Sequence, residues 1–167
     1  MRAQLERSYL EISSINELLV KNKPFSDLYL EKVNPPDLQL NKFFYKQIGK
    51  KHSWTDRLIW NDKKWIEYLE SSGVNTFILK HKKDFIGYFE QIFDKHKLDC
   101  EIAYFGILEE YIGKKLGGYL LSEAIKISFN IGSKRIWVHT CSLDHKNALQ
   151  NYLSRGMKVF KSETLNL

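Results

Sequence analysis

The chain holds two cysteines in 167 residues, and Cys100 and Cys141 lie too far apart for the short paired spacing of a zinc or redox motif. Two are also too few for a disulfide framework, so both read as reduced, mostly buried thiols. No apolar run approaches the roughly 20 residues that a membrane-spanning helix needs. The opening residues, MRAQLERSYL, have no apolar segment ahead of a small-residue cleavage site. A cytoplasmic protein with no membrane partner is expected. Clustered charge is missing as well. The net charge is +6, but residues 1–100 carry 17 basic and 14 acidic groups and residues 101–167 carry 9 and 6. So diffuse an excess supports solubility and mild attraction for an anionic ligand, and it lacks the basic stripe of a phosphate-backbone reader. Nucleic acid is therefore not an expected partner. Neither a Walker A loop nor the dinucleotide fingerprint is present, and no repeat, linker or low-complexity tract divides the chain.

What is there fits one domain over residues 1–167, with 43% apolar residues to bury a core. Aromatics make up 14% and include Trp54, Trp60, Trp65 and Trp137. Residues 8–12 and 27–33 read as strands. Asn34-Pro35-Pro36 punctuates the chain, Pro36 or Asp37 opens a helix carrying Leu40, Phe44 and Ile48, and Gly49 is its expected stop. A second helix starts at Asn61 or Asp62, with Trp65, Ile66 and Leu69 on one face. Residues 74–80 and 85–93 form a hairpin, and 101–108 is the next strand. Leu116, Leu120, Ala124, Ile127 and Ile131 mark a helix ending at Gly132, and 135–140 is a strongly β-prone run. A last helix from Asp144 or His145 to Leu153 and a strand over 157–161 close the chain. The order implies a mixed sheet with helices on both faces, in which strands 101–108 and 135–140 are parallel neighbours joined by a helical crossover.

The stretch from Glu101 to Gly118, EIAYFGILEEYIGKKLGG, carries the chemistry. A strand that ends in a glycine-containing turn and opens a helix presents backbone N–H groups to an anion, aided by the helix dipole. By composition alone the same residues also suit a merely tight turn.

From about residue 74 onward the chain resembles the GNAT superfamily of acyl-CoA-dependent N-acyltransferases. The family's pyrophosphate loop reads Arg/Gln-x-x-Gly-x-Gly/Ala, and the matching window is Ile112-Gly113-Lys114-Lys115-Leu116-Gly117, followed by Gly118. Ile112 stands where Arg or Gln is usual, and Lys115 where the first motif glycine is usual. The closing segment resembles the family's Asn-x-x-Ala-x-x-x-Tyr-x-x-x-Gly-Phe pattern through His145, Ala148, Tyr152, Gly156 and Met157, and Gly87 matches a glycine in the second strand of the hairpin. The resemblance implies an α/β, three-layer αβα fold whose central mixed, mostly antiparallel sheet splays at the acyl-CoA site. It also implies acetyl-CoA as the donor, bound by backbone groups of Phe105, Gly106, Ile107 and Leu108, by the loop from Ile112 to Gly118 and by His145. Gly106 suits a bulge or a close backbone approach.

Acetyl transfer to an amine needs a base for the amine proton and an acid for the departing thiolate. Glu101, sixteen residues before Gly117, is the candidate base, at the spacing of the strand glutamate in the histone-acetylating branch. A desolvated carboxylate there has the raised pKa a base requires; a solvated or salt-bridged strand residue is the alternative. Tyr152 is the candidate acid by resemblance, its alternative being a core tyrosine. His139 is a candidate for substrate contact or proton relay, against a buried, hydrogen-bonded histidine. Trp54, Asp56 and Arg57 are candidate acceptor residues, Asp56 for a cationic amine and Arg57 for a carboxylate, against an amphipathic packing corner. No metal site is expected. The reading is an N-acetyltransferase acting on a small-molecule or peptide amine as a monomer or homodimer. A non-catalytic acyl-CoA binder is the main rival, and nucleic-acid binding through Lys42, Lys46, Lys50 and Lys51 the third.

Overall fold

The computed structural model describes residues 3–166. Its seven strands are β1 (Gln4–Ile12), β2 (Leu28–Lys32), β3 (Val74–His81), β4 (Asp84–Asp94), β5 (Asp99–Ile107), β6 (Arg135–Cys141) and β7 (Lys158–Asn166). They form one sheet in the order β2-β3-β4-β5-β6-β1-β7. All neighbours are antiparallel except β5 and β6. The helices are α1 (Leu38–Gly49), α2 (Asp62–Leu69), α3 (Leu116–Asn130) and α4 (Ala148–Ser154). Among the described residues no helix is long and apolar enough to cross a membrane.

The helices start where side chains can satisfy their first N–H groups. Asp37 accepts from the backbone N–H of Gln39 and Leu40 at 3.0 and 3.1 Å, and Asn61 from that of Lys64 at 2.9 Å. Phe44 and Ile48 of α1 pack on Ile78, Tyr88 and Leu108 of one sheet face, beside a second cluster of Tyr45, Trp65 and Leu69. Ile66, expected with Trp65 and Leu69, is exposed instead, because it lies one position off their i, i+4 row. The other sheet face buries α3 through Leu116, Leu120, Leu121, Ala124 and Ile125. Ile131, expected on that stripe, is the exposed C-cap. The last helix begins later than expected, at Ala148, since the Asp144 carboxylate turns back to Thr140 Oγ1 and the Cys141 N–H instead of capping forward.

Both edges of β5 are irregular. Its parallel ladder with β6 spans only Asp99, Cys100 and Glu101, opposite Arg135, Ile136 and Trp137; beyond Glu101 the strands part. On the other side its register with β4 shifts between Glu90/Tyr104 and Gln91/Ile102, leaving Ala103 as a bulge. Of the two alternatives for Gly106, a bulge or a close approach, the bulge is not found there. Gly106 instead makes a close approach to α1, where an added Cβ would sit 2.5 Å from Ile48 Cγ2. Gly106→Ala is expected to destabilise the fold by about 1–3 kcal/mol through overpacking, read by urea unfolding. A Gly106→Ala/Ile48→Ala double variant should recover part of that loss.

Candidate active site

The parting of β5 and β6 opens a cleft of about 1120 Å³ that runs from the start of α3 to the loop joining α1 and α2. Along β5 it is lined by Glu101 to Ile107. Its α3 end is lined by Ile112, Gly113, Lys115, Leu116, Gly117 and Gly118, and its far wall includes His139, Asp144, His145 and Tyr152. The α1–α2 loop contributes Trp54, Asp56 and Arg57. The sequence-predicted residues thus meet in one cavity, apart from two. Leu108 is buried under α1, and its N–H donates to the Ile86 carbonyl at 2.8 Å. Lys114 points its ammonium over the Tyr111 ring.

The direction of the Leu108 bond orders the backbone groups before it. In an antiparallel ladder alternate residues point to the same neighbour, so Gly106, opposite Tyr88, also addresses β4. Phe105 and Ile107 address the gap left by β6. At the head of α3 the N-cap residue is Lys115, in the left-handed conformation at φ 63°, ψ 22°, and it makes no side-chain capping bond. The first N–H groups of α3 therefore have neither an intrahelical acceptor nor a side-chain cap. Gly113, at φ 85°, has open space where a Cβ would be. These groups line the cleft and fit a phosphate anion.

Glu101 stands at the last paired position, where the strands separate. Its carboxylate makes no ion pair or side-chain hydrogen bond among the described residues. Burial pushes its pKa above the ordinary carboxylate range, Arg57 pulls it back and Asp99 adds to the rise. Strict alternation from Glu101 would put Ala103 and Phe105 on its face of the strand, but the register shift in β5 breaks that alternation. The bulge puts Tyr104 over Tyr45 and Trp54, with Glu101's side of the strand, and sends Phe105 to the α3 core. Tyr152 is buried, its ring 6.4 Å from that of Phe105, and burial followed by the Asp144 charge drives its pKa above the ordinary phenol value. Its hydroxyl stays protonated throughout the neutral range.

Arg57 is not free to bind a substrate carboxylate. Its side chain is 5% exposed and pairs at 2.9 Å with Glu90, which is 0% exposed. The rings of Tyr45, Trp60, Trp65, Tyr68 and Tyr104 surround the guanidinium. Tyr68 and Asn41 also donate to Glu90, at 2.7 and 3.2 Å. The packing-corner alternative is the one found for this residue. Asp56 is engaged too, accepting from the Tyr45 and Tyr104 hydroxyls at 2.8 Å each.

Trp54 Nε1 donates to Asp144 at 3.4 Å, and His52 Nδ1 lies 3.3 Å from the Leu143 carbonyl oxygen. The α1–α2 loop is thereby tied across the cleft to the β6–α4 loop. His145 Nδ1 accepts from the Asn147 N–H at 3.1 Å. His139 is open to water within the cleft, not buried as the alternative had it. Surrounding protein atoms, and then the Arg7 charge, lower its pKa. Burial pushes the Cys100 thiol up to about 11, so the thiolate is scarce at neutral pH.

The sequence matches a model of the acetyltransferase (GNAT) family over residues 38–157. The chain belongs to this family. Solved GNAT structures agree on the fold. A GCN5-related N-acetyltransferase from Sphaerobacter thermophilus has a TM-score of 0.75 at 11% identity, covering 99% of this chain and 52% of that one. A second, from Kribbella flavida, gives 0.68 at 15% identity, covering 96% and 57%. An aminoglycoside acetyltransferase from an uncultured soil metagenomic sample gives 0.65 at 13%, covering 80% and 90%. The chain spans about half the length of the first two relatives. No curated protein matches its sequence.

Four residues that shape the cleft carry no motif signal: Glu90, Tyr104, Asp144 and Arg7. Tyr104 and Glu90 required the bulge to be located, and Asp144 read as a helix start. Arg57→Ala, which strands a buried Glu90 carboxylate, is expected to cost about 3–5 kcal/mol of stability, read by urea unfolding. A loss under about 1 kcal/mol, the scale of an exposed pair, would show that the pair is solvated.

Proposed function

We propose that the protein transfers an acetyl group from acetyl-CoA to a primary amine of a small molecule or peptide, directly, within a ternary complex. The observation that carries this reading is the continuity of one cleft from the uncapped start of α3 to the unpaired Glu101 carboxylate. Acetyl-CoA supplies the thioester. Its pyrophosphate suits the N–H groups of Gly113 to Gly118, with the Lys115 ammonium replacing part of the charge complementarity that an arginine at position 112 would give. Backbone groups of Phe105 and Ile107 suit the pantetheine arm and the acetyl carbonyl. His145 lines the same wall.

Glu101 takes the proton of the incoming amine, directly or through water, as nitrogen bonds to the acetyl carbon. Tyr152 gives a proton to the sulfur as the C–S bond breaks. The two carriers then hold their opposite protonation states until solvent restores them. A carboxylate with a raised pKa is a stronger base than an ordinary one, and a phenol kept neutral is an available acid.

The second reading, a non-catalytic acyl-CoA binder, is favoured by Ile112 and Lys115 in the loop. Calorimetry with acetyl-CoA followed by an amine panel monitored through thiol release separates them: binding without thiol release on any amine selects the binder. Nucleic-acid binding is disfavoured because Lys42 and Lys51 are paired with Asp62 and Glu109.

An added Cβ at Gly117 meets only Asn151 Nδ2, at 3.6 Å, so a side chain is tolerated there. Gly117→Glu is expected to fold and to lose coenzyme A binding, read by calorimetry; retained affinity removes the loop assignment. The raised Glu101 pKa gives a sign to the pH profile. Activity should rise as pH increases through a value above the ordinary carboxylate range, and Glu101→Gln should lower kcat by about 10²–10⁴-fold and abolish that limb. Tyr152→Phe should lower kcat at all pH values below the ordinary phenol pKa.

A further inference from the structure

Away from the glycine turn, two charged side chains of the cleft have no ion-pair or hydrogen-bond partner among the described residues, the Glu101 carboxylate and the Arg7 guanidinium. Arg7 lies on β1 opposite Cys141 of β6 and Glu163 of β7. Its Nε is buried and makes no hydrogen bond, while the side chain as a whole lines the cavity. The positive charge is felt inside the cleft, since it lowers the pKa of His139.

The carboxylates nearest to this wall are already committed. Asp144 accepts from Thr140 Oγ1 at 2.6 Å, the Cys141 N–H at 3.0 Å and Trp54 Nε1 at 3.4 Å. Asp56 holds two tyrosine hydroxyls. Glu163 pairs with Lys161 at 2.6 Å and accepts from the Tyr9 hydroxyl at 3.1 Å. Glu163, opposite Arg7 across the β1–β7 ladder, feels its charge, but among the described residues no carboxylate bonds to the guanidinium. A half-buried guanidinium with an open donor fork matches a carboxylate or phosphate oxygen pair, and more strongly than it matches water.

We propose that Arg7 is the anchor for an anionic group on the acceptor, so that the substrate is a primary amine bearing a carboxylate or a phosphate on the same molecule. This rests on the acetyl-transfer reading of the cleft. The two unpaired charges suit the two ends of such a molecule: the amine addresses Glu101 and the anion addresses Arg7. Register sets the span. Glu101 is level with Trp137, Arg7 is level with Cys141 four residues further along β6, and β1 lies two strands from β5. At about 4.8 Å per strand and 3.3 Å per residue, the two Cα atoms are on the order of 16 Å apart, and both side chains line the same cavity. A single small molecule that carries both groups suits that arrangement. A polycation gains nothing from Arg7, and the overall charge of +6 opposes it further. That separates this cleft from one built for an aminoglycoside.

The test uses matched acceptors with the intact protein and acetyl-CoA: 6-aminohexanoate, hexylamine and 1,6-diaminohexane for the carboxylate arm, and phosphoethanolamine against ethanolamine for the phosphate arm. The anionic member of a set is expected to have the highest kcat/KM and the diamine the lowest. Arg7→Gln is expected to collapse the anionic-to-neutral ratio by about 10- to 100-fold, chiefly through KM, Arg7→Lys to restore part of it, and Arg7→Glu to favour the diamine. An unchanged ratio in Arg7→Gln, or a wild-type preference for the neutral or dicationic member, overturns the proposal and leaves acetyl transfer standing. If no amine releases thiol, the acetyl-transfer reading fails, and calorimetry of 6-aminohexanoate and phosphoethanolamine into the protein saturated with coenzyme A still decides on Arg7. Binding that Arg7→Gln abolishes supports it, and no binding rejects it.

Discussion

The cleft depends on a ladder that stops. β5 and β6 pair over three residues and then separate, although each stays bound on its far edge, β5 to β4 and β6 to β1. The separation leaves backbone N–H and C=O groups of Phe105 and Ile107 without strand partners. Buried without water, each such group would cost about 1–3 kcal/mol. Opening onto a wide cleft, they stay hydrated, and a ligand that supplies matching polar groups replaces that water at little loss. A sheet that closed along its whole length would be better paired and would have no cleft there.

Several neighbouring features hold the gap open. The bulge at Ala103 re-aims β5 just past the last pair. It puts Tyr104 beside Asp56 and so joins the strand to the α1–α2 loop. That loop is fixed from below by Arg57 in its cage with Glu90, and across the cleft by Trp54 and His52 on the β6–α4 loop. The buried pair is thus a structural clamp for the mouth of the cleft. Removing one partner is costly because the other charge is left in a site with no water to receive it. At the opposite end, Lys115 adopts a left-handed backbone where glycine is freer. A strain of roughly 1–2 kcal/mol is accepted there, and the ammonium is placed at the head of α3.

Much of this was legible in the sequence, and the parts that were not share a cause. The order of strands, the βαβ crossover and the glycine turn before α3 all follow from periodicity and local punctuation, which are short-range properties. Strict alternation along β5 breaks after Glu101, because a bulge is set by pairing with β4 and a one-residue slip exchanges the two faces. Arg57 and Asp56 read either as ligand groups or as a packing corner, because residue type shows charge and not the partner that consumes it. Glu90 is separated from Arg57 by a helix and a strand, so their pairing appears only in the fold. Arg7 lay just ahead of the strand expected at 8–12, which β1 in fact extends back to Gln4.

The proposed seat of the acyl donor is the gap between β5 and β6 together with the uncapped start of α3. A crystal structure of the protein grown with coenzyme A tests it most directly. Density is expected for the pyrophosphate against the N–H groups of Gly113 to Gly118 and for the pantetheine arm between the parted strands, ending near Glu101 and Tyr152. Coenzyme density elsewhere on the molecule, or β5 and β6 paired past Glu101 with the gap closed, would contradict it.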